Sequence, residues 1–492
     1  MAIFAIATPQ ILVPAYNQIK YIYNSTNVNL LGFKYIFDIY ESGTTIQIAE
    51  YRVLPTYGTG YGEVDLSKLL QAQVSYDLNL TNTSVYNATN SHYEYDVHVG
   101  EEYLTTVLYT ATLVAYTIPP FNGRVQINVV HPFVVGDQIN IIQGVGGIAA
   151  NPGMEGLFTV LVAGVGFIVV NSLFSLVTAP TIDGSITYAD GRKTITRNVT
   201  LDLDNFVFNG AKPWVEMPAY NFQEYMLNSF NDLFLTSYPG ANKNMFMTLS
   251  QDMWVNAVAN GSPTAPDTME FTNSNGSVFE KVVTAVDHVS GISVGPNNFG
   301  TLTLISGSGN LIEPNTTFYE FRYLRNGIPR STSYMINIDR RVRTLEHSIL
   351  FLDRMGSWGS FAFTGRAYER GTVTREEFNR DVEGYIDGTN HWTYETYDRG
   401  QMATYISTTN TIDLNTDYMT EDMALYFTEL ISSPYTLYKV STYENDCEIP
   451  DSTEYISCNI ITSSFDKFKQ RNKNLIKQSI QIKLANNDIV NA

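Results

Sequence analysis

Three small groups of side chains in this sequence have types and spacings that could serve catalysis or metal binding. The first is Gly291-Ile292-Ser293-Val294-Gly295, which matches the G-x-S-x-G turn that presents a nucleophilic serine between a strand and a helix. A strand pattern precedes it, but the Pro-Asn-Asn of residues 296–298 follows and favours a loop over the required helix. We therefore expect Ser293 to be a structural residue and not a nucleophile.

The other two groups are a histidine pair and a carboxylate pair. His92 and His98 have an even spacing, which would place both on one face of a strand, where two imidazoles can hold a metal ion. Asp202 and Asp204 also share a strand face, and paired carboxylates can serve glycoside hydrolysis. The alternative is that all four are solvated or hydrogen-bonded, with a loose calcium contact at the aspartates. We favour that alternative for both pairs.

The elements that would position such groups are mostly strands, and the chain is organised around residues 331–364. An alternating run, Tyr334–Asp339, is followed by an apolar run at 349–352, a turn at 355–359 and an aromatic strand from Phe361. This order predicts a β-meander that packs one face and shows the other. The stretch contains no nucleophile beside a base and no residues spaced as metal ligands. We therefore expect it to pack against the core and to dock with other proteins.

Helix signals are few. Asp65 or Ser67 can cap a short helix, and Asn221 with Glu224 three residues later has the signature of a capping box. Thr420 is the predicted cap of a third helix. The apolar faces of the second and third helices would be formed by Phe222, Met226 and Phe230, and by Met423, Phe427, Leu430 and Ile431.

The sequence predicts a mainly β protein of several domains, with β-sandwich and small β-barrel modules and a few short helices. Residues 1–117 and 191–330 form an N-terminal sandwich-type region. Residues 118–190 read as an inserted, glycine-punctuated β-barrel-like module. A central β-meander region covers 331–400, and a C-terminal α+β domain covers 401–492.

Composition narrows the class of protein further. The 492 residues include 44% hydrophobic and 16% charged residues, which supplies cores and excludes wholesale disorder. A net charge of −19 argues against a nucleic-acid backbone as a specific partner, because such a partner needs a basic surface. The N-terminus lacks a charged leader, and the longest apolar stretch, at 157–173, is broken by glycines. We expect neither a signal peptide nor membrane insertion.

The two cysteines, Cys447 and Cys458, form neither a disulfide framework nor a zinc site. Idle thiols in a reducing compartment are the favoured reading, and a pair across a hairpin is the alternative. We expect no cofactor and no resident metal.

Two tryptophans and a basic run are the candidate contact residues. Trp358 lies in a glycine-flanked turn, where it can belong to the core or anchor an interface, and Trp392 raises the same question. The basic run can guard a sheet edge or meet the acidic surface of another subunit. It comprises Lys467, Lys469, Arg471 and Lys473, with Lys477 after it.

Several patches of this sequence resemble a virion protein of tailed phages of Bacteroides-like hosts, including crAss-like phages. The patches are residues 14–17 (PAYN), 24–27 (NSTN), 32–40 (GFKYIFDIY), 208–210 (FNG), 234–236 (FLT), 351–358 (FLDRMGSW) and 429–434 (ELISSP). They run in order across most of the chain and have no catalytic content. The 118–190 module resembles only the small β-modules common in phage tails.

The resemblance implies a structural subunit of a ring, hub or baseplate around the tail axis, located in the virion and assembled in the cytoplasm of the bacterial host. Its partners would be copies of itself in a six-fold or twelve-fold ring and other tail or portal-proximal proteins. We do not expect this protein to be an enzyme. A receptor- or carbohydrate-binding tail protein is the alternative, based on Tyr/Asn/Thr-rich loops at 57–61 and 79–95. A virion-borne hydrolase using Asp202 and Asp204, or Ser293, ranks last.

Overall fold

The structure is a computed structural model. It describes residues 3–78, 80, 85–113, 116–117, 124–128, 130–143, 156–171, 182–228, 232–237, 244–259, 266–283, 288–341, 345–379, 381, 383–397, 401–442, 452–462, 476–485 and 488–491. Strands account for 55% of the structure and helices for 7%, so the predicted mainly β class with several separate sheets is confirmed.

The strands are numbered in chain order within these described residues. Strands β1 to β14 are Ile3–Ala7, Leu12–Pro14, Lys20–Ser25, Lys34–Glu41, Gln47–Val53, Gly62–Asp65, Val85–Asn87, His92–Leu113, Tyr116–Thr117, Arg124–Asn128, Gln138–Gln143, Gly156–Gly164, Phe167–Asn171 and Ile182–Phe208. Strands β15 to β24 are Asn244–Thr248, Trp254–Ala259, Asp267–Asn273, Val278–Val283, His288–Ser293, Thr303–Ser306, Phe318–Arg325, Ile328–Pro329, Tyr334–Asp339 and Leu345–Leu352. Strands β25 to β33 are Trp358–Phe363, Tyr368–Asn379, Tyr385–Ile386, Trp392–Thr393, Gln401–Asn415, Thr436–Thr442, Ser452–Ile460, Ser479–Leu484 and Asp488–Asn491.

The contacts divide the chain into two compact units, which cut across the four regions drawn from the sequence. The first unit comprises residues 1–11, 18–68 and 94–206, and the second comprises 12–17, 69–93 and 207–492. Residues 207–330 therefore group with the C-terminal half, because their strands pair with one another and with β23.

The first unit contains a small sheet, β1-β3-β6, and a larger one in the order β5-β4-β8-β14-β11-β12-β13-β10-β9. Strand β4 reads KYIFDIYE, rich in the aromatic and β-branched residues that suit strands, and five consecutive residues of it are buried. Tyr21 and Tyr95 are buried nearby, and their hydroxyls lie 3.1 Å apart, which satisfies both polar ends.

The strands between 118 and 190 do not close into a barrel within the described residues, so the predicted barrel-like shape is corrected. They extend the larger sheet instead. Strand β14 pairs with β11 from Ile139↔Tyr188 to Gln143↔Gly184, and β12 pairs on the other side of β11. Because β14 is 27 residues long, one continuous strand carries the sheet from the 118–190 region to Phe208.

The second unit contains three main sheets. Their strand orders are β15-β23-β21-β17-β18-β20, β16-β19-β7 and β25-β24-β30-β31-β32-β29-β26. Buried and half-buried residues alternate along β17, so one face of its sheet packs on the core. The main apolar core joins residues from these sheets with the longer helix, and includes Phe271, Phe321, Phe361, Phe427 and Ile482.

The three strands expected at 331–364 all form, but they are not one meander. Strand Tyr334–Asp339 pairs with β21 and, in parallel, with β15, whereas Leu345–Leu352 pairs with Trp358–Phe363 and with β30 in another sheet. The last two strands are buried on both faces, whereas the expected meander would expose one face to solvent. The 355–359 turn is correct: Gly356 has φ of +87°, and a Cβ there would lie 2.4 Å from the Asn209 carbonyl oxygen.

Two of the three helix predictions hold. Helix α1 is Ser67–Gln71, and helix α2 is Glu421–Ser432, whose cap Thr420 accepts a hydrogen bond from the Met423 amide. The helix predicted after Asn221 is wrong beyond one turn, since only the 3₁₀ segment Phe222–Tyr225 forms. Beyond it, Leu227 donates its amide to the Val258 carbonyl, so the backbone is engaged by a strand neighbour; Phe230 lies outside the described residues.

Candidate interaction surface

A long antiparallel ribbon of the second unit is made of β26 and β29. The two strands pair from Tyr368↔Asp413 to Asn379↔Gln401, with one bulge at Glu376/Glu377. Every residue of β26 is exposed, and β26 is the last strand of its sheet. Strand β29 also pairs with β32 at residues 411–415 and with β33 at residues 405–408, so its second side is held over most of its length. The end that pairs with β32 joins the ribbon to the rest of the sheet and is called the anchored end.

Polar side chains cover most of the ribbon, including Thr372, Thr374, Ser407, Thr408, Thr409, Asn410 and Thr411. Arg370 forms an ion pair of 2.8 Å with Asp413 at the anchored end. A strand rises about 3.4 Å per residue, so the twelve residues of β26 extend roughly 40 Å. The ribbon is therefore polar over most of its length, although Ile412 and Leu414 at the anchored end of β29 belong to the main apolar core.

Beyond the ribbon lies a small hairpin whose apolar residues form an aromatic tip. We define the aromatic tip as Tyr385, Ile386, Trp392, Tyr394 and Tyr397, which are all at least half exposed. Ile386 pairs directly with Trp392 across β27 and β28, and the rings of Trp392 and Tyr394 lie 5.6 Å apart. These three side chains share one face of the hairpin.

The turn of the hairpin is held by one carboxylate. Asp387 accepts hydrogen bonds from the Thr389 amide, the Thr389 hydroxyl and the His391 amide, at 2.9, 2.8 and 2.9 Å. These bonds, with the one from His391 first, lower the pKa of Asp387 below its usual value. Asn390 adopts a left-handed conformation with φ of +62°, which asparagine tolerates well. The tip is thus locally ordered without a hydrophobic core of its own.

A second feature of this unit is a cavity of about 430 Å³, called the groove below. The buried apolar residues that line it include Met247, Phe361, Met419 and Met423, and Phe246 and Tyr418 are exposed beside them. Arg341 stands at the groove with its guanidinium bound to Asp339 and Asp417, at 2.8 and 2.6 Å. The groove therefore has a mixed interior, because Thr248, Gln251 and Thr416 are buried in its lining beside the apolar side chains.

A larger and more polar cavity of about 930 Å³ lies at the anchored end of the ribbon. Its lining includes Arg366, Arg370, Lys477 and Asp413. The Arg366 guanidinium lies 5.0 Å from the centre of the Tyr368 ring, and Lys477 lies 4.5 Å from that of Tyr418. These cations already have partners, so the cavity is less distinctive as a binding site than the groove.

The structure separates the two tryptophans proposed as interface anchors. Trp358 is 2% exposed, donates from Nε1 to the Asp77 carbonyl at 2.8 Å and packs with Trp254, Leu350 and Leu352. It is a core residue, because a side chain so buried cannot reach another subunit. Trp392 is 60% exposed at the aromatic tip and remains a candidate for contact.

The predicted basic run lies outside the described residues, so Lys467, Lys469, Arg471 and Lys473 stay a sequence-based prediction. Cys447 is also outside them. Cys458 is a free, buried thiol whose pKa is raised by burial. Its sulfur lies 3.5 Å from the Thr436 hydroxyl, which fits an inert thiol and not a reactive one.

The Ser293 motif has a partner that the sequence did not reveal. Lys281 donates from Nζ to the Ser293 hydroxyl and carbonyl oxygens, at 2.8 and 2.9 Å, and burial lowers the pKa of Lys281 to about 7. A serine–lysine pair can be a hydrolytic arrangement. Here Ser293 has no exposed surface and neither residue lines the groove, so the pair fastens β18 to β19.

The histidine and aspartate pairs do not assemble sites. His92 donates from Nδ1 to the Ala88 carbonyl, and His98 Nδ1 contacts the Asn198 side-chain oxygen, both at 3.1 Å. Asp204 has φ of +58°, so the strand alternation that would align it with Asp202 is broken there. Burial raises the pKa of Asp202. No group of three or more potential metal ligands occurs in the part of the chain that the structure describes.

Sequence reasoning found Trp392 but missed the rest of the aromatic tip and another exposed tryptophan, Trp214. The signal was present in the alternation His391-Trp392-Thr393-Tyr394 opposite Tyr385-Ile386, on either side of an Asp-Gly turn. Trp214 follows Pro213 and is 81% exposed. It lies outside the ribbon.

Comparison with protein-family models and with curated proteins found no match for this chain. No helix among the described residues is long and apolar enough to cross a membrane. The geometry of the ribbon, its tip and the groove is therefore the basis for any functional conclusion.

Proposed function

We propose that this chain is a structural component of a bacteriophage tail, a subunit of a multi-copy ring, hub or baseplate assembly around the tail axis. The observation that carries the proposal is the exposed aromatic tip at the end of a polar ribbon about 40 Å long. The ordered sequence resemblance to tailed-phage virion proteins supports the same role. Its patch at 351–358 includes the end of a buried strand and the turn after it.

An aromatic tip of this kind suits assembly for an energetic reason. Clustered, exposed apolar side chains contribute little to the stability of a free monomer. In soluble proteins such patches mark interaction sites. Trp and Tyr are the residues that most often dominate interface energetics. Because the ribbon removes the tip from the sheet, those side chains can contribute to binding without contributing to the core.

The partners that suit this design are copies of the same chain in a cyclic, six-fold or twelve-fold ring, together with other tail or portal-proximal proteins of the virion. A ring requires heterologous contacts, in which two different faces of one subunit meet. A protruding tip and a recessed groove on one unit are two such faces.

The proposal is tested by the mass of the purified full chain in solution, with negative-stain images of the same sample. We expect closed rings or ring fragments whose mass is a multiple of 55.2 kDa. A protein that remains a monomer at every accessible concentration and binds a glycan on an array would replace this proposal with the alternative below.

The alternative is a receptor- or carbohydrate-binding tail protein, and one observation favours it. Tyr57 is fully exposed in a loop closed by hydrogen bonds between the Thr56 and Tyr61 backbones and between Gly60 and Thr56. An ordered, exposed ring of this kind can stack on a flat ligand. The second loop is less suitable, since Tyr95 is buried and burial raises the pKa of Tyr86 well above its usual value.

A further inference from the structure

We infer that the groove of one subunit receives the aromatic tip of a second copy of this chain, in a head-to-tail contact. The inference rests on the proposed function, since it names the contact by which subunits would join. It depends on three independent properties of the groove and the tip: apolar shape, charge and position on the ribbon.

The apolar properties of the two surfaces match. The groove is lined by Met247, Met419 and Met423, and methionine side chains adapt to aromatic partners of irregular shape. Phe246 and Tyr418 are 51% and 61% exposed beside it, so much of their apolar surface is in contact with water in the free subunit. An indole inserted between them would cover that surface, and a volume of about 430 Å³ is within the range of sites that enclose a ligand.

The charges are complementary as well. Residues 383–397, which contain the tip, have three acidic residues and no lysine or arginine. At the groove, the Arg341 guanidinium binds Asp339 and Asp417, while Arg340 also lines the cavity and Lys477 lies against the Tyr418 ring. These three cations and two carboxylates together carry one positive charge on a chain of net charge −19, so they repel an acidic tip less than the average surface of the subunit does.

The position of the two features excludes an easy contact within one subunit. Strand β29 ends at Asn415, and residues 416–420 then line the groove. The groove is thus next to the anchored end of the ribbon, while the tip is beyond its far end, roughly 40 Å away along β26. A tip held at that distance can reach the groove of a neighbour, and repetition of the contact generates a ring or a filament.

Two variants of the full chain test the contact. Ile386→Ser/Trp392→Ser removes the apolar face of the tip, and Phe246→Glu places a negative charge at the groove. We expect each to raise the dissociation constant for self-association by about thirtyfold or more, the effect of losing a hot spot. The matched controls Trp214→Ser and Val282→Glu change exposed residues elsewhere and should leave it unchanged.

Mixing the two variants gives the decisive readout. Each variant alone should be monomeric, because it lacks either a tip or a groove. An equimolar mixture should give 1:1 dimers and nothing larger, since only one intact tip can meet one intact groove. A mixture that stays monomeric, or a single variant that still assembles like the wild type, overturns the inference.

A cross-linking experiment keeps the test independent of variant folding. A photoreactive phenylalanine analogue at position 392 should cross-link to peptides containing Phe246, residues 338–341 or residues 416–423 of a second, isotope-labelled copy. Cross-links elsewhere overturn the contact. If both variants still form rings like those of the wild type, the contact between tip and groove is overturned but the proposed function is not. If the wild-type chain never self-associates, the proposed function is overturned as well.

Discussion

Ile386 and Trp392 stand directly opposite each other across a two-stranded hairpin, and 70% and 60% of their surfaces are exposed. Cross-strand apolar pairs usually stabilise a sheet that is packed on something. The Trp392 ring lies 5.6 Å from the Tyr394 ring and against Gly384 of the same hairpin, and most of the pair's surface stays in contact with water. Its placement is the main reason to regard the ribbon as a docking device.

The two tryptophans should respond oppositely in a stability measurement. Trp358→Ala removes a buried indole and leaves the Asp77 carbonyl without its donor, so we expect a loss of about 3–5 kcal/mol in the free energy of unfolding. Trp392→Ala should change it by less than about 0.5 kcal/mol, because the side chain is exposed. Chemical denaturation of both variants checks this, and similar losses would contradict the assignment of Trp392 to the surface.

Local patterns in the sequence were sufficient for the fold class and for several elements. The Thr420 cap with its apolar face predicted α2 correctly, and alternation predicted Tyr334–Asp339. Sheet membership was not predictable in this way. The parallel pairing of β15 with β23 joins residues about ninety positions apart, and the sequence of neither strand identifies the other as its partner.

The candidate surface was predictable in part. Trp392 was identified from its residue type, but Trp358 had the same type and a similar glycine-rich context and is in the core. The difference arises from tertiary neighbours, since Tyr76 and Trp254 cover Trp358, and they are far from it in sequence. The groove could not be predicted, because β15, β25 and the start of α2 meet there only after folding.

Glu429 should make the second unit less stable as pH rises. The carboxyl is buried on α2, and burial raises its pKa to about 7, although Arg354 lies 3.0 Å away and opposes the shift. The stabilising contribution of the protonated form is complete below the usual pKa of 4.5 and is lost as pH rises through about 7. A shift of this size corresponds to about 3 kcal/mol at most.

Glu429→Gln tests that expectation because the amide stays neutral at every pH. We expect its thermal unfolding temperature to exceed that of the wild type at about pH 8, with the difference shrinking at about pH 5.5. A difference independent of pH would show that Glu429 is not the titrating group. Exposed Glu395→Gln serves as the control and should show no such trend.

Asp387 should control the order of the tip without affecting the body of the protein. Asp387→Ala removes an acceptor of three hydrogen bonds in the turn, so amide exchange at Thr389 and His391 should become faster. Asp387→Asn keeps an acceptor and should largely restore protection. Since the wild-type pKa is lowered, the stabilisation is present above its usual value of 3.8 and is lost as pH falls through the lowered one.

Unchanged exchange in Asp387→Ala would contradict the role of this carboxylate. If the tip docks in an ordered form, the same variant should also weaken self-association by several-fold. Sedimentation of Asp387→Ala beside Asp387→Asn measures that effect. Equal association constants for the two variants would show that docking does not depend on the order of the tip.

The central claim is that the ribbon and its aromatic tip assemble copies of this chain. The most direct measurement is the mass distribution of the wild-type full chain across a concentration series, recorded beside Ile386→Ser/Trp392→Ser. The account predicts a closed, concentration-dependent oligomer for the wild type and monomers for the variant with unchanged thermal unfolding. Identical mass distributions for the two proteins would contradict it.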